Sequence, residues 1–371
     1  MRGAKKRCAA LPDGLHFAAA LFQNTLIFKT VSQSGWFKPA VGAGLTVLCG
    51  WLLWSTPLGD EWVNASYDYL FRFVSRSVTN DVALVVMDEE SYRQLGQSRT
   101  NFWDRNLHTQ LLDRLTRDQA RLVVFDINFK SGSDSDTDRA LAAAIRRNGR
   151  VVLMANLKGP DDENTGQLNL EKATTVPPAH AFAAAALGWG IGYTGASLGG
   201  TSRQHWPFGL AWKEPSLARA AAQALVNTPT ESRQDKWMRY YCEAGPWQII
   251  SYYRALTNVP AGCFSNKIVF VGNWPQNLDP GETEKDKFCT PYTRWNSRAI
   301  GGVALMATTF LNLVQDDWLR RLPASVECLL IVLTGIAIGG TLINLRPGIA
   351  FSLGLGMAVI SSLLFLSLIH I

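Results

Sequence analysis

Acidic and amide side chains follow four apolar runs that the sequence predicts to be β-strands. The runs are short, rich in valine and leucine, and bounded by turn-forming residues, which is typical of buried strands. Ligands of open α/β sheets bind beyond the carboxyl ends of such strands, so these side chains are candidates to line one pocket. They are Asp88, Asp126, Asn128, Asn156 and Asn273. The alternative is that each one caps a helix or forms a turn, as Asp and Asn often do.

The same acids also raise the hypothesis of an enzyme. A carboxylate site around Asp88, Glu90, Asp126 and Asn128 would serve acid–base chemistry if these side chains converged and one carboxyl group had a raised pKa. A third hypothesis is a scaffold whose domain binds a protein partner. The spacing of Cys and His residues does not indicate zinc, and the sequence predicts no metal and no cofactor.

Three short motifs match functional patterns, but their surroundings do not fit. Residues 190–195 have the G-x-G-x-x-G spacing of dinucleotide sites, yet a poor helix former follows them. Residues 195–199 match the nucleophile elbow G-x-S-x-G, yet the histidines stand in the wrong order for that hydrolase fold. Residues 134–138 alternate Asp with Ser and Thr but lack the glycine and glutamate of a calcium loop. We expect a glycine-rich strand and loop over 188–200 and a polar loop that leads into a helix.

The region 60–321 alternates between strand-like and helix-like patterns. Apolar runs predict strands at 82–87, 122–125, 151–155 and 268–271. Periodicity and composition predict helices at 107–115, 138–147 and 215–226, and a last amphipathic helix at 303–313. This alternation predicts an α/β fold with a mainly parallel central sheet and flanking helices on both faces.

Three stretches without Asp, Glu, Lys or Arg stand near the two ends of the chain. Each is close to the ~20 residues that a helix needs to cross a bilayer, and a helix satisfies its backbone within its own segment. The sequence therefore predicts transmembrane helices at 39–58, 322–345 and 347–371, with one large domain at 60–321.

Positive charge is concentrated before the first predicted span. The formal net charge is +6, and residues 1–38 hold six basic residues against one acidic residue. The large domain is therefore almost neutral, which argues against nucleic acid as a partner. Basic residues beside a first span favour the cytoplasmic side. We expect a cytoplasmic arm at 1–38 and an extracytoplasmic, periplasmic domain in a multi-pass protein of the inner membrane.

Three of the six cysteines fall in the predicted external domain, namely Cys242, Cys263 and Cys289. An oxidising compartment permits one disulfide among them and leaves one thiol over.

Several short motifs stand in an order that is characteristic of a known family. They are VALVVMDEES at 82–91, WDR at 103–105, VVFDINF at 123–129, DRALAAAI at 138–145, KIVFVG at 267–272, and Gly302-Val303 before the last helix. Together they resemble the CHASE type-2 domain, the second class of cyclase/histidine-kinase-associated sensory extracellular domains, over roughly residues 62–315. Two positions differ from the family pattern: GGTS stands before Arg203, and Leu305-Met306 follows the Gly-Val pair.

The resemblance implies a bacterial transmembrane receptor sensor without enzymatic activity of its own. Such a module detects an external stimulus and relays it to a cytoplasmic kinase or nucleotide cyclase, which this chain does not include. Because family members commonly have three membrane helices after the sensor, and two are predicted here, we expect the chain to be truncated. Small residues at 42–44, at Gly335 and at 339–340 offer faces where membrane helices approach, so we also expect a homodimer in the bilayer.

The stimulus, a small molecule or a protein, is not identified by the sequence. The candidate residues of its pocket are Asp88, Glu90, Ser91, Arg105, Asp126, Asn128, Arg203 and Asn273.

Overall fold

The computed structural model describes most of the region between the two chain ends. The described residues are 36–73, 81–99, 102–130, 135–160, 169, 172–193, 200–205, 214–226, 236–243, 245–280, 286–342, 345–346, 348–350, 352–354 and 356. The predicted arm at 1–38, except for its last three residues, and most of the predicted span at 347–371 lie outside them. The chain divides into two compact units, one with residues up to Val63 and from Leu322, the other with Asn64–Arg321.

Helices and strands alternate along the described chain. The helices are α1 (Phe37–Trp54), α2 (Pro57–Phe73), α3 (Glu89–Gln94), α4 (Arg105–Arg117), α5 (Ser135–Asn148), α6 (His180–Ala183), α7 (Leu217–Gln223), α8 (Tyr252–Thr257), α9 (Thr293–Asn296), α10 (Gly302–Gln315) and α11 (Ala324–Leu342). The strands are β1 (Val82–Met87), β2 (Leu122–Asn128), β3 (Val151–Lys158), β4 (Thr174–Val176), β5 (Gly188–Ile191), β6 (Gln204–His205), β7 (Lys236–Trp237), β8 (Gln248–Ser251), β9 (Ile268–Asn273), β10 (Lys287–Phe288) and β11 (Ile300–Gly301).

A seven-stranded sheet forms the centre of the larger unit. Its strand order is β4-β3-β2-β9-β1-β8, and β5 pairs with β3 beside β4. Every pairing in this sheet is parallel except that of β3 with β4. The predicted α/β fold with a mainly parallel central sheet and flanking helices is confirmed.

The sheet separates two apolar cores, because alternate residues of a strand point to opposite faces. In β1, Val82, Leu84 and Val86 enter the core that contains α2, α7 and α10. Val85 and Met87 enter the other core, which contains α4, α5, α6 and α8. All six residues of β1 are buried, as continuous apolar runs in a doubly covered sheet should be.

The last helix of this unit differs from its sequence prediction. We predicted an amphipathic helix, but every residue of α10 from Gly302 to Leu313 is buried. The helix contacts α7, β9 and β1, so it is covered on several sides. The hydroxyl groups of Thr308 and Thr309 and the carboxamide of Asn312 each donate to the carbonyl group four residues earlier in the helix.

Residues 236–241, which we call the anchor segment, are bonded to two segments of the same unit. On α2, the Tyr67 hydroxyl donates to the Met238 carbonyl at 2.6 Å. On α10, Asn312 accepts from the Arg239 amide at 2.7 Å and donates to the Arg239 carbonyl at 2.8 Å. Just after α10, the Leu319 amide donates to the Trp237 carbonyl at 3.0 Å. The anchor segment therefore connects the helix that follows α1 in sequence to the chain that precedes α11.

A buried ion pair adds to the α2 contact. The Arg203 guanidinium donates to both carboxylate oxygens of Asp68, at 2.9 and 2.8 Å. The Arg203 carbonyl accepts from the Met238 amide of the anchor segment at 2.9 Å. Because Asp68 is 4 % exposed, removing Arg203 would leave a buried carboxylate without its counter-charge.

The smaller unit contains the two helices that are long and apolar enough to cross a membrane, α1 and α11. They pack closely at small residues, since a Cβ atom at Gly335 would collide with Val47, and one at Gly339 with the Gly42 carbonyl. The Trp54 indole donates to the Glu327 carboxylate at 2.8 Å near the ends of the two helices. Gly42, Gly335 and Gly339, which we considered for a dimer face, thus contact helices of the same chain.

Cys242, Cys263 and Cys289 are all free thiols in the structure. The single disulfide that the sequence permits among them is not formed there.

We expect Gly339→Val to loosen the pair formed by α1 and α11, because the new side chain would collide with backbone atoms of Gly42. Overpacking of this kind costs about 1–3 kcal/mol. The midpoint of unfolding of the full chain, titrated with SDS in mixed micelles, should fall. Gly340→Val is the matched control, since its Cβ would lie 3.7 Å from the Pro39 carbonyl, an ordinary contact. An equal loss in both variants would contradict the packing.

Candidate functional site

Asp88 and Ser91 form a capping network at the carboxyl end of β1. Asp88 accepts from the Ser91 amide at 3.0 Å and so caps α3. Its oxygen also accepts from the hydroxyl groups of Ser91 and Ser251, at 2.6 and 2.9 Å. The Ser91 hydroxyl oxygen in turn accepts from the Tyr253 amide at 3.0 Å. These contacts join α3 to α8. For Asp88 and Ser91 they favour the interpretation that the residues cap a helix over the interpretation that they line a ligand pocket.

Glu90 and Arg203 lie in other settings. Glu90 pairs with Arg254 of α8 at 3.1 Å, and the Arg254 side chain is 59 % exposed. Arg203 is committed to Asp68 beside the anchor segment. Neither residue lines the cavity described next.

A cavity of about 130 Å³ lies at the carboxyl edge of the sheet, on the side of α4. We call it the aromatic cavity. Its walls include Tyr92, Trp103, Arg105, His108, Asn128 and Phe129. Two of the predicted site residues, Arg105 and Asn128, are therefore brought together here.

Arg105 is held in the wall of the aromatic cavity by an ion pair. Asp104 caps α4 by accepting from the Asn106 amide, which places Arg105 in the first turn of the helix. The guanidinium of Arg105 is bonded to Asp138 and donates to the Lys130 carbonyl at 3.0 Å. It also stands 4.9 Å from the centre of the Phe182 ring. Asp138, one of the alternating acids at 134–138, thus neutralises a buried arginine.

His108 is the neutral polar group of the same wall. The side chain is 2 % exposed, and burial, with a smaller effect of Arg105, lowers its pKa to about 3. Its Nδ1 atom shares a 2.8 Å hydrogen bond with the Tyr252 hydroxyl. The rings of Trp103 and His108 are nearly parallel, with centres 6.3 Å apart.

Asp126 lies on the opposite side of the sheet from Asn128. The pairing of β2 with β3 shifts between Phe125 and Asn128, and such bulges re-aim side chains. A Cβ atom at Gly272 would lie 3.2 Å from that of Asp126, and one at Gly302 would lie 3.8 Å from its Oδ2. Asp126 therefore sits beside the start of α10, in a space that the missing side chains of these glycines leave open.

Burial, together with the charge of Asp286, raises the pKa of Asp126 to about 7. Part of the residue's surface remains accessible to solvent. The Asp126 carboxylate forms no hydrogen bond with another described residue. Nearby, the Asn273 carboxamide accepts from the Tyr92 hydroxyl at 3.0 Å and donates to Asp286 at 3.4 Å.

The raised pKa of Asp126 meets one of the two conditions for the enzyme hypothesis.

The other condition, convergence of the four residues, is not met in the described structure. Asp88 is a helix cap, Glu90 pairs with an exposed arginine, and Asp126 and Asn128 face opposite sides of the sheet.

The sequence motifs have structural explanations where they are described. Gly190 and Gly192 flank the end of β5, and a side chain at Gly190 would collide with the backbone of Ser216. Residues 194–199, which include the elbow serine, lie outside the described residues, as does Asp134. The described residues include no group of three His, Cys, Asp or Glu side chains that could hold a metal ion.

Sequence patterns did not identify Tyr92, Trp103 and Phe129 as wall residues and indicated no site role for His108. Three of these residues are aromatic, which is the only indication of a cavity wall that the sequence offers. Aromatic residues also fill ordinary cores, so residue type alone does not distinguish a wall residue from a core residue.

Substitution of Asp126 should change how stability depends on pH. Because the folded state raises this pKa from 3.8 to about 7, its stabilising contribution is complete below about pH 4 and is lost as the pH rises through 7. We expect Asp126→Asn to remove a slope of up to about 1.4 kcal/mol per pH unit over this window. The readout is the thermal unfolding of the full chain in detergent from pH 4 to 8.

The comparison variant is Asp113→Asn, which removes a carboxylate that is 44 % exposed and paired with Arg147. It should leave the wild-type pH profile unchanged. Parallel profiles for the wild type and Asp126→Asn would contradict the raised pKa.

Comparison with known proteins identifies the family of the chain. The CHASE2 domain matches residues 43–341. Curated proteins and solved structures gave no significant match. The match extends beyond the resemblance at 62–315 on both sides and confirms it. The chain belongs to the CHASE2 family of sensory extracellular domains.

Proposed function

We propose that this chain is the sensor module of a transmembrane receptor. The larger unit detects an extracytoplasmic stimulus, and the membrane helices relay it to a cytoplasmic effector, a kinase or a nucleotide cyclase. Membership of a sensory family and the two apolar helices α1 and α11 support this proposal.

The bonding of the anchor segment is the observation that supports a relay from the larger unit to the membrane helices. The anchor segment is bonded to α2 through Tyr67 and to α10 through Asn312. In sequence, two residues lie between α1 and α2, and eight residues lie between α10 and α11. A movement of the anchor segment would therefore displace the two chain segments that continue into the membrane helices. A stimulus produces such a movement only through different affinities for two states of the domain.

The topology follows the charge distribution. The basic arm at 1–38 stays in the cytoplasm, and residues 60–321 lie in the periplasm of an inner-membrane protein with several spans. The bilayer is then a partner of α1 and α11, and nucleic acid is not a partner of the near-neutral domain.

A homodimer is part of the proposal, because paired receptors pass signals by moving helices against a twin. Gly44 of α1 supports it, since a Cβ atom there would have no neighbour within 4 Å in the described structure. Close approach of a second membrane helix at such small residues is favourable.

Labelling of single cysteines tests the topology. In a chain whose six cysteines are replaced by serine, Thr257→Cys at the exposed end of α8 should react with an impermeant maleimide in intact cells. Arg346→Cys, in the turn after α11, should react only after the cells are permeabilised. The opposite pattern would invert the topology and remove the periplasmic sensor.

A reporter cyclase joined to the amino terminus of the full chain tests the relay. Asp68→Asn breaks the pair with Arg203, and we expect its basal output to change about fivefold or more, the usual range of coupling between sites. Asp136→Asn is the control, because it removes an ion pair in which both side chains are more than 75 % exposed.

Thermal unfolding of each variant establishes that it is folded. An unchanged output from folded Asp68→Asn would contradict the relay through α2.

A further inference from the structure

We propose that the aromatic cavity binds a small uncharged molecule with a ring-sized apolar body and one hydrogen-bonding group. This inference rests on the proposed sensory function, because the bound molecule would be the stimulus of the receptor. Its binding can be measured independently of any signal.

The size of the cavity limits the ligand. Its volume is about 130 Å³. An apolar cavity of roughly 150 Å³ in another protein holds benzene, so a single small ring of about six or seven non-hydrogen atoms is the size class that this cavity admits. Trp103 and Phe129, 6 % and 3 % exposed, provide flat apolar walls for a ring.

His108 and Asn128 are wall residues with hydrogen-bonding capacity to offer to a ligand. The Nδ1 atom of His108 is engaged by Tyr252, which is not a wall residue, so this edge of the ring is turned away from the cavity. Its Nε2 atom has no hydrogen-bond partner among the described residues. The carboxamide of Asn128 likewise forms no hydrogen bond within the described part of the chain. A ligand that hydrogen-bonds to either group gains affinity over one that leaves it unpaired.

The charges of the wall favour an uncharged ligand. Arg105 is the charged wall residue among those that the structure describes, and its charge is neutralised by Asp138. His108 is neutral at physiological pH because burial lowers its pKa to about 3. An ionised ligand would therefore lose its hydration without gaining a counter-charge.

A chain of hydrogen bonds leads from the cavity to the start of α10. The hydroxyl group of Tyr92, a wall residue, donates to Asn273, and Asn273 donates to the side chain of Asp286. The Asp286 carbonyl accepts from the Gly302 amide at 2.9 Å. A ligand that displaces the Tyr92 ring would thus bias the position of the helix that carries Asn312.

Binding of phenol to the full chain in lipid nanodiscs tests the proposal, with saturation-transfer NMR of the ligand as readout. Phenol has a ring and one hydroxyl group; toluene lacks the hydroxyl and benzoate is charged. We expect phenol to bind most tightly of the three. Ile127→Phe adds a ring to a wall residue and should weaken phenol binding about tenfold or more. Ile249→Phe makes the same change at a residue of β8 that is 42 % exposed and outside the cavity, and should have no effect.

Asn128→Leu separates hydrogen bonding from shape, since the two side chains are similar in size. It should weaken phenol binding about three- to tenfold, the usual effect of one hydrogen bond, and leave toluene unaffected. Equal phenol binding by the wild type and Ile127→Phe would overturn the site. Equal losses for phenol and toluene in Asn128→Leu would overturn the role of its carboxamide. A negative result here leaves the reporter test of Asp68→Asn unaffected, so failure of the site and failure of the relay are distinguishable.

Discussion

The hydrogen bonds between Asn312 and the backbone of Arg239 are the constraint on which the proposed relay depends. Asn312 is fully buried on α10 and pairs with both the amide and the carbonyl of Arg239, much as a neighbouring strand would. Breaking this pairing would leave buried polar groups unsatisfied, at a cost of about 1–3 kcal/mol for each group. The Tyr67 hydroxyl and the Asp68 carboxylate attach α2 to the same region. The proposed relay has the anchor segment and these two helices move together.

The parallel arrangement of the strands places helix-capping residues and cavity residues close together at the carboxyl edge of the sheet. Six parallel strands end there, and their polar ends must be satisfied by caps such as Asp88 or left to face a cavity. The bulge in β2 directs Asp126 toward α10 and leaves Asn128 in the aromatic cavity on the other face. The edge thus offers one pocket whose wall arginine is paired with Asp138, and one acid whose pKa is raised by burial and by the charge of Asp286. The four residues that the enzyme hypothesis requires do not converge among the described residues.

Much of the fold was predictable from local pattern, and most of the site was not. Continuous apolar runs indicate buried parallel strands, and the central ones were confirmed. In a regular strand, Asp126 and Asn128 would point to the same face of the sheet. Nothing in the local sequence indicates the bulge that separates them, because the bulge depends on tertiary packing. Arg203 and Asp68 are 135 positions apart, and no local pattern connects them. The burial of α10 does not follow from sequence, because Thr308 and Asn312 are polar residues whose hydrogen bonds, within the helix and to Arg239, depend on the fold.

Hydrogen exchange of the full chain in nanodiscs tests the central claim most directly. Asn312→Ala removes the side chain that pairs with Arg239. If the anchor segment couples the two helices, amides in residues 236–241 and in residues 64–73 of α2 should exchange faster, along with those of α10. Faster exchange confined to α10 would show that α2 is held independently and would contradict the account.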